Sequence, residues 1–256
     1  MTVDYLGAEV PVGAGPPRRV VSLVPSITET VAVSAPGRLA GITDYCTHPA
    51  ALDLPRVGGS KYPDVAAVLA LEPDLVLANE EENRPADVRA LRAAGVPVWT
   101  TKAAGTVPEA LESLRRMLVE ALRLPTAPDW LAQAQAEWAA EEPPRATAIV
   151  CVWRRPWIVL GRDTFAGDVL RRLGIENAYA AHPERYPRPS LDELRAKLRD
   201  DQADLVVLPD EPYTFAPDDG PDAFPNARCA LVDGRYLTWW GPSLVAARTV
   251  LGAALP

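Results

Sequence analysis

Two acidic loops carry the side chains in this chain that are best suited to chemistry. Residues 71–81 read Leu-Glu-Pro-Asp-Leu-Val-Leu-Ala-Asn-Glu-Glu, and residues 201–211 repeat the outline as Asp-Gln-Ala-Asp-Leu-Val-Val-Leu-Pro-Asp-Glu. Each copy predicts a buried strand ending in carboxylates, which can hold a cation, accept hydrogen bonds or act in acid–base catalysis. Acidic residues are also typical of a solvated first helical turn, so both interpretations stay open. We take Glu81, Asn83 and Glu211 as candidate ligand contacts.

Aromatic residues near predicted strand ends and loops form the second candidate set. A rigid ring offers a large contact area at a small entropic cost, which suits a flat apolar ligand. Core packing is the competing interpretation for any single ring, including Trp157 and Phe215. Trp239 and Trp240 are adjacent, and neighbouring side chains of an extended segment point in opposite directions, so we expect one of these rings to face the ligand. The candidates are Tyr45, Tyr62, Trp153, Trp157, Tyr186, Tyr213, Phe215, Trp239 and Trp240.

Cys46 and His48 share a predicted loop and are candidate metal ligands. Thiolate and imidazole suit soft metals, but a single Cys-x-His pair is also typical of an ordinary structural loop. The only other histidine is His182, which can approach this pair only through folding. The chain has 3 cysteines, an odd number that predicts no disulfide framework.

Arginines near a predicted helix start are candidate anion contacts. Arg162 precedes the helix predicted from Thr164, where backbone amides and the helix dipole also favour anions; a surface salt bridge is the alternative. Arg154 and Arg155 follow a predicted strand and have the same two interpretations. The sequence contains no Walker loop, Gly-x-Ser-x-Gly, His-Glu-x-x-His or Gly-x-Gly-x-x-Gly, so no motif supports a hydrolase or a nucleotide-binding protein.

Composition and charge limit the classes of function. The chain of 256 residues is 48% hydrophobic and has a net charge of -8 without a basic stripe, which argues against a nucleic-acid partner. No apolar run is long enough to cross a bilayer. The first residues lack the cationic and apolar regions of a secretory signal. We therefore expect a cytoplasmic protein, or a periplasmic or cell-surface one if a leader has been removed.

Strand and helix patterns alternate twice along the chain. Runs of β-branched residues such as 19–24 and 146–153 predict strands, and helical patterns lie between them, as expected for mostly parallel sheets. We predict an α/β fold with two βαβ-type lobes, 1–105 and 145–256, joined by a helical connector over 106–144. Ligands of open α/β sheets bind beyond the carboxyl ends of the strands, so we expect a ligand cleft between the lobes.

Capping patterns mark the starts of several helices. A hydroxyl residue followed three positions later by glutamate satisfies the first free amides of a helix. Asp64 predicts a further start through its carboxylate. Helices are also predicted over 128–142 and 242–255, and Asp233-Gly234 predicts a turn. The capping boxes are Ser26–Glu29, Thr106–Glu109 and Ser190–Glu193.

Several segments together resemble one known family. They are Arg19–Glu29, Leu69–Leu77, Gly161–Phe165, Gly174–Asn177 and the approach of Trp239 to the last helix. The pattern is similar to the class III periplasmic substrate-binding proteins with a helical backbone, the vitamin B12-binding and iron-siderophore receptors of ABC importers. A closer resemblance is to the subgroup labelled helical backbone metal receptors. The shared motifs are Tyr45–Pro49, Glu80–Asn83, Trp153–Pro156, Gly161–Phe165, Glu184–Pro187 and Glu211–Tyr213.

This resemblance implies a bilobal ligand-binding protein and not an enzyme. The implied ligand is a cobalamin-like corrinoid, an iron siderophore or another metal chelate. Aromatic rings from both lobes would enclose it, while Glu81, Arg162 and Glu211 would contact its polar edges. One alternative is a cytoplasmic enzyme or metal-binding protein that uses Cys46, His48 and the acidic loops. Another is an intracellular interaction module that kept the fold and lost the ligand.

The resemblance also implies an ABC permease as a partner. The docking glutamates of the family would fall near Pro85 and Gly241 in this chain, which argues against docking. The identity of the ligand and the oligomeric state do not follow from the sequence.

Overall fold

Strands and helices alternate in two series, in the computed structural model of the chain, which describes residues 2–256. Two compact units result, and the residues expected to form a connector, 106–144, are divided between them. The first unit comprises the residues up to Ala103, with Ala110–Ala132 and Trp240–Pro242; the second comprises Ala104–Glu109, Gln133–Trp239 and Ser243–Pro256. The predicted cleft between the two halves stays a prediction.

The first series of elements builds a parallel sheet. In chain order it consists of β1 (Thr2–Val3), β2 (Glu9–Val10), β3 (Val20–Ser22), α1 (Pro25–Ser34), β4 (Leu39–Ile42), α2 (Val65–Ala70), β5 (Leu75–Asn79), α3 (Pro85–Ala93) and β6 (Val98–Thr101). The hairpin β1–β2 is antiparallel, whereas the four-stranded sheet in the order β4-β3-β5-β6 is parallel throughout. The apolar side chains of β3 and β5 are fully buried, as expected for parallel strands covered on both faces.

The second series builds a mixed sheet. Three helical elements come first in the chain: α4 (Val107–Arg116), a π-helical turn (Met117–Ala121) and α5 (Asp129–Glu137). The elements of the second series then follow in the order β7 (Ala146–Arg154), β8 (Trp157–Val159), α6 (Phe165–Arg172), β9 (Ile175–Asn177), α7 (Leu191–Arg199), β10 (Leu205–Pro209), β11 (Arg228–Val232), α8 (Gly234–Thr238) and α9 (Leu244–Ala254). Strands β11, β10, β7 and β9 are parallel neighbours, and only β8 pairs with β7 in the antiparallel direction. The α/β fold class is therefore confirmed.

Most helix starts are capped as the sequence predicts. Asp64 accepts a hydrogen bond from the amide of Ala67, and Ser190 accepts one from Glu193. The amide of Glu109 donates to Thr106 Oγ1 at 3.3 Å. The capping box at Ser26–Glu29 is wrong: α1 already begins at Pro25, after Val24, which makes no side-chain cap. Proline suits the first helical position because its missing N–H needs no partner there.

Other boundaries differ from the expected ones. The predicted helix over 128–142 covers only Asp129–Glu137, and the last helix begins at Leu244. Asp233 does not form a simple turn but caps α8 by accepting from the amide of Arg235. No helix within residues 2–256 is both long and apolar enough to cross a bilayer.

Candidate functional site

Two loops after β4 present Tyr45 on the surface of the first unit. The amide of Asp44 donates to the carbonyl of Gly58 at 2.9 Å, which joins the loop at 44–49 to the loop at 58–63. The Tyr45 side chain is 65% exposed, and a Cβ at Gly59 would lie 3.2 Å from its Cε2 atom. One edge of the ring therefore packs on the backbone of Gly59, and the rest is open to a ligand.

Tyr62 is the second exposed ring of this unit, at 68% exposure. The guanidinium carbon of Arg84 lies 4.5 Å from the centre of the ring. Arg84 is itself held by Asp87, through hydrogen bonds of 2.8 and 2.9 Å. A cation over a tyrosine ring attracts it electrostatically, so this pair limits the motion of an otherwise free side chain.

Asparagine side chains fix the acidic loop that follows β5. Asn83 Oδ1 accepts from the amide of Asn79 at 2.8 Å, and its Nδ2 donates to the carbonyls of Leu23 and Ser60. Asn83 is only 2% exposed, so we correct its expected role: its amide braces the loop and is not open to a ligand. Half-buried Glu81 remains a candidate contact on this braced loop.

Cys46 supports the same region from inside. Its Sγ lies 3.0 Å from Thr28 Oγ1 and 3.1 Å from Thr43 Oγ1, and the residue is 1% exposed. His48 Nδ1 lies 3.0 Å from the hydroxyl of Thr47. Among residues 2–256 no three His, Cys, Asp or Glu side chains are grouped to hold a metal ion. The metal site predicted at Cys46 and His48 therefore gains no further ligand from the described chain.

Aromatic rings in the second unit form a continuous series from the surface to the core. Trp153 is 39% exposed, and the edge of its ring meets Tyr213 with 5.3 Å between ring centres. Tyr213 lies 4.7 Å from Phe215, which stacks on Trp157 at 6.1 Å. Trp157 and Phe215 are buried in the core of this unit, so core packing is the correct interpretation for these two.

Arg154 links the strand that carries Trp153 to an acidic turn. It donates to the carboxylates of Asp219 and of Asp222, the latter at 2.6 Å. The hydroxyl of Tyr213 donates to Asp219 Oδ2 at 2.5 Å. The Arg154 guanidinium, helped by the amide of Gly220, holds the pKa of the Asp222 carboxyl well below its usual range. The anion-binding role considered for Arg154 is therefore wrong, since its charge is already paired.

Trp239 and Trp240 are both buried, with exposed fractions of 6% and 8%. The expectation that one of these rings faces the ligand stays a prediction. Trp239 Nε1 donates to Glu211 Oε2 at 2.8 Å. Burial raises the pKa of Glu211 above its ordinary value; Trp239 opposes this rise, and the charges of Asp210 and Asp233 add to it.

Tyr186 lies at a groove of about 850 Å³ on the second unit. A Cβ at Gly161 would come within 2.0 Å of the carbonyl oxygen of Glu184, so only glycine allows this close approach. His182 Nδ1 accepts from the amide of Glu184 at 3.1 Å. The groove lining includes His182, Glu184, Arg185, Tyr186, Arg188 and Glu193.

Arg162 is exposed, and its Nε lies 3.3 Å from Asp163 Oδ2. The anion contact and the salt bridge therefore both remain open for this side chain.

Sequence reasoning missed the supporting residues of the site. Arg84 and Asp87 are three positions apart and carry a local signal, whereas Asp219 is 65 positions from Arg154 and carries none.

Two α/β units whose loops present exposed rings and carboxylates define a small-molecule binding protein. A family model described as Periplasmic binding protein matches residues 20–211, and the chain belongs to this family. The vitamin B12-binding protein of Vibrio cholerae serotype O1 is 25% identical over 190 residues, which are 71% of this chain and 68% of that protein.

Solved structures give the same result. The periplasmic heme-binding protein RhuT from Roseiflexus sp. RS-1 is 25% identical, with a TM-score of 0.75 over 93% of this chain and 97% of that one. A periplasmic heme-binding protein from Pseudomonas aeruginosa is 26% identical, with a TM-score of 0.72 over 93% and 92% of the two chains. These findings confirm the predicted family of periplasmic binding proteins. They lend no support to the expected cytoplasmic location.

Proposed function

We propose that the chain is a substrate-binding protein for a flat metal chelate, a cobalamin-like corrinoid in the first place. The observation that carries this proposal is the exposure of four rings, three on loops and one near the end of β7: Tyr45, Tyr62, Tyr186 and Trp153. Exposed aromatic rings are typical of ligand-binding surfaces, and the contacts that hold Tyr45, Tyr62 and Trp153 lower the entropic cost of binding.

The charges around these rings favour a corrinoid over a heme. The chain has a net charge of -8, and Glu81 and Glu211 lie in acidic loops. A corrinoid carries neutral amide side chains that can donate hydrogen bonds to carboxylates, whereas the two carboxylates of a heme would be repelled by them. Arg162 is an exposed cation that would contact a hydrogen-bond acceptor of the corrinoid.

The sequence identity of this chain to both vitamin B12-binding and heme-binding proteins supports a metal chelate as the class of ligand. A vitamin B12-binding protein and two heme-binding proteins are similar to it at 25% or 26% identity. A permease is the family's partner, and for this chain Pro85 and Gly241 lie where docking carboxylates are expected. We therefore propose ligand binding with weak docking to a permease.

Titration of the purified protein with cyanocobalamin, hemin and a ferric siderophore tests the proposal. Cyanocobalamin should quench tryptophan fluorescence and raise Tm, and the variants Tyr45→Ala and Tyr62→Ala should weaken its binding by about tenfold each. Val33→Ala is the matched control, because Val33 is also 50% exposed in the first unit but lies at the end of α1. No change of fluorescence or Tm with any of the three compounds would contradict the proposal.

A further inference from the structure

Arg154 is a partly buried cation that connects three separate parts of the second unit. Only 13% of its side chain is exposed, and it pairs with Asp219 and Asp222. Its guanidinium carbon also lies 5.7 Å from the centre of the Trp157 ring. Burial of an arginine is costly unless its donors are matched, so this arrangement has a structural purpose.

The carboxylate of Asp219 transmits this support to a ligand-facing ring. Its Oδ1 accepts from Arg154, while its Oδ2 accepts from the hydroxyl of Tyr213 at 2.5 Å. Its backbone also closes a two-way pair with Ala216, with both N···O distances at 3.0 Å. Tyr213 is thereby fixed against the exposed Trp153, at an angle of 75° between the ring planes.

We propose that Arg154 and Asp219 are positioning residues that hold the Trp153–Tyr213 ring pair as a rigid aromatic wall for the bound chelate. Tyr213 then contacts the ligand with its ring and not as a metal ligand, because its hydroxyl is committed to Asp219. The identity of the ligand rests on the function proposed above, whereas the support of the ring pair is a property of the free protein.

The first experiment uses the full chain without ligand. Arg154→Gln and Asp219→Ala should each reduce the near-UV circular dichroism of the tryptophans and increase the acrylamide quenching constant about twofold, since a released edge-to-face pair becomes mobile. The matched control is Arg155→Gln, because Arg155 is 74% exposed and lies 3.9 Å from Asp219. Spectra of Arg154→Gln and Asp219→Ala identical to those of Arg155→Gln would overturn the proposed support.

The second experiment measures affinity for cyanocobalamin and hemin. Arg154→Gln, Asp219→Ala, Trp153→Ala and Tyr213→Phe should each weaken the binding of a probe about three- to tenfold, because Tyr213→Phe keeps the ring but loses the hydrogen bond to Asp219 that positions it. A loss of more than about tenfold in Tyr213→Phe, with an altered Soret spectrum of bound hemin, would overturn the ring contact in favour of metal ligation.

The two proposals fail in different ways. If the wild-type protein binds neither probe, the proposed function and the use of the wall are both overturned, while the ligand-free spectra still decide whether Arg154 and Asp219 hold the rings. If a probe binds and Arg154→Gln binds it as tightly as Arg155→Gln does, the function stands and the positioning role is overturned.

Discussion

The indole nitrogen of Trp239 donates a hydrogen bond of 2.8 Å to the buried carboxyl group of Glu211. The two residues are 28 positions apart, and one belongs to the acidic loop after β10 while the other follows α8. A candidate ring and a candidate carboxylate therefore support each other inside the second unit, where burial of the Glu211 carboxyl makes the stability of the protein depend on pH.

Glu211→Gln should raise Tm near pH 7 and leave it unchanged near pH 4. Burial raises the pKa of Glu211, so its contribution to stability is present below its ordinary pKa and is lost as the pH rises through the raised value. Glutamine still accepts the hydrogen bond from Trp239 but takes no charge. Tm measured between pH 4 and pH 8 checks this, with Asp218→Asn as a control for removing one exposed charge. A Tm for Glu211→Gln below that of the wild type at neutral pH would contradict it.

Asp168→Asn should destabilise the second unit by about 3 kcal/mol, because it leaves the buried Arg172 with only the exposed and more distant carboxylate of Glu141, at 3.6 Å. Asp168 Oδ2 accepts from Arg172 Nε at 2.8 Å and from the amide of Val107 at 2.9 Å. Burial by itself raises the pKa of this carboxyl, but the hydrogen bonds from Arg172, Val107 and Arg171 outweigh it, so the pKa is lowered.

Urea unfolding measures the loss of unfolding free energy in Asp168→Asn, and the pH dependence of that loss has a defined sign. The stability from Asp168 is present above the ordinary aspartate pKa and disappears as the pH falls through the lowered value. Glu141→Gln, which removes an exposed partner of Arg171 and the more distant partner of Arg172, is the control and should have a much smaller effect. Equal effects of the two substitutions would show that burial does not matter here.

Asn83→Ala should cost about 2–4 kcal/mol, because it leaves the amide of Asn79 and the carbonyls of Leu23 and Ser60 without their partner. Hydrogen exchange should become faster at residues 79–83, which checks that the damage begins in the acidic loop. Arg89→Ala, at an exposed position of α3, should leave both unfolding and the exchange of residues 79–83 unchanged.

Gly59→Ala should weaken ligand binding about three- to tenfold with little change in Tm. The added methyl group would lie 3.2 Å from Tyr45 Cε2 and displace the ring, and a side chain that is 65% exposed can move without disturbing the core. Gly13→Ala is the control, since nothing lies within 4 Å of a Cβ there. Unchanged affinity in Gly59→Ala would remove Tyr45 from the binding surface.

Thiol titration should find one reactive cysteine in the folded protein and all 3 after unfolding. All three thiols are free, and Cys46 and Cys151 are buried while Cys229 is partly exposed. Burial, followed by the charge of Cys229, raises the pKa of Cys151, which further lowers its reactivity. Fast reaction of Cys46 with Ellman's reagent would show that its loop opens and would renew the case for metal binding there.

Local sequence patterns were sufficient for the elements and the family. Strand β5 and the caps at Asp64 and Ser190 lie where they are predicted, because strand burial and helix capping depend on residues within one or two turns of each other. The same holds for the exposed loop positions of Tyr45 and Tyr62.

Only the tertiary structure decided which of the candidate side chains are available to a ligand. Asn83 and Trp240 have the residue types of a binding site, yet both are buried. Arg154 has the charge of an anion contact, yet Asp219, 65 positions away, neutralises it. The physical reason is that exposure and charge pairing depend on segments distant in sequence, whose approach is fixed by packing and not by local spacing.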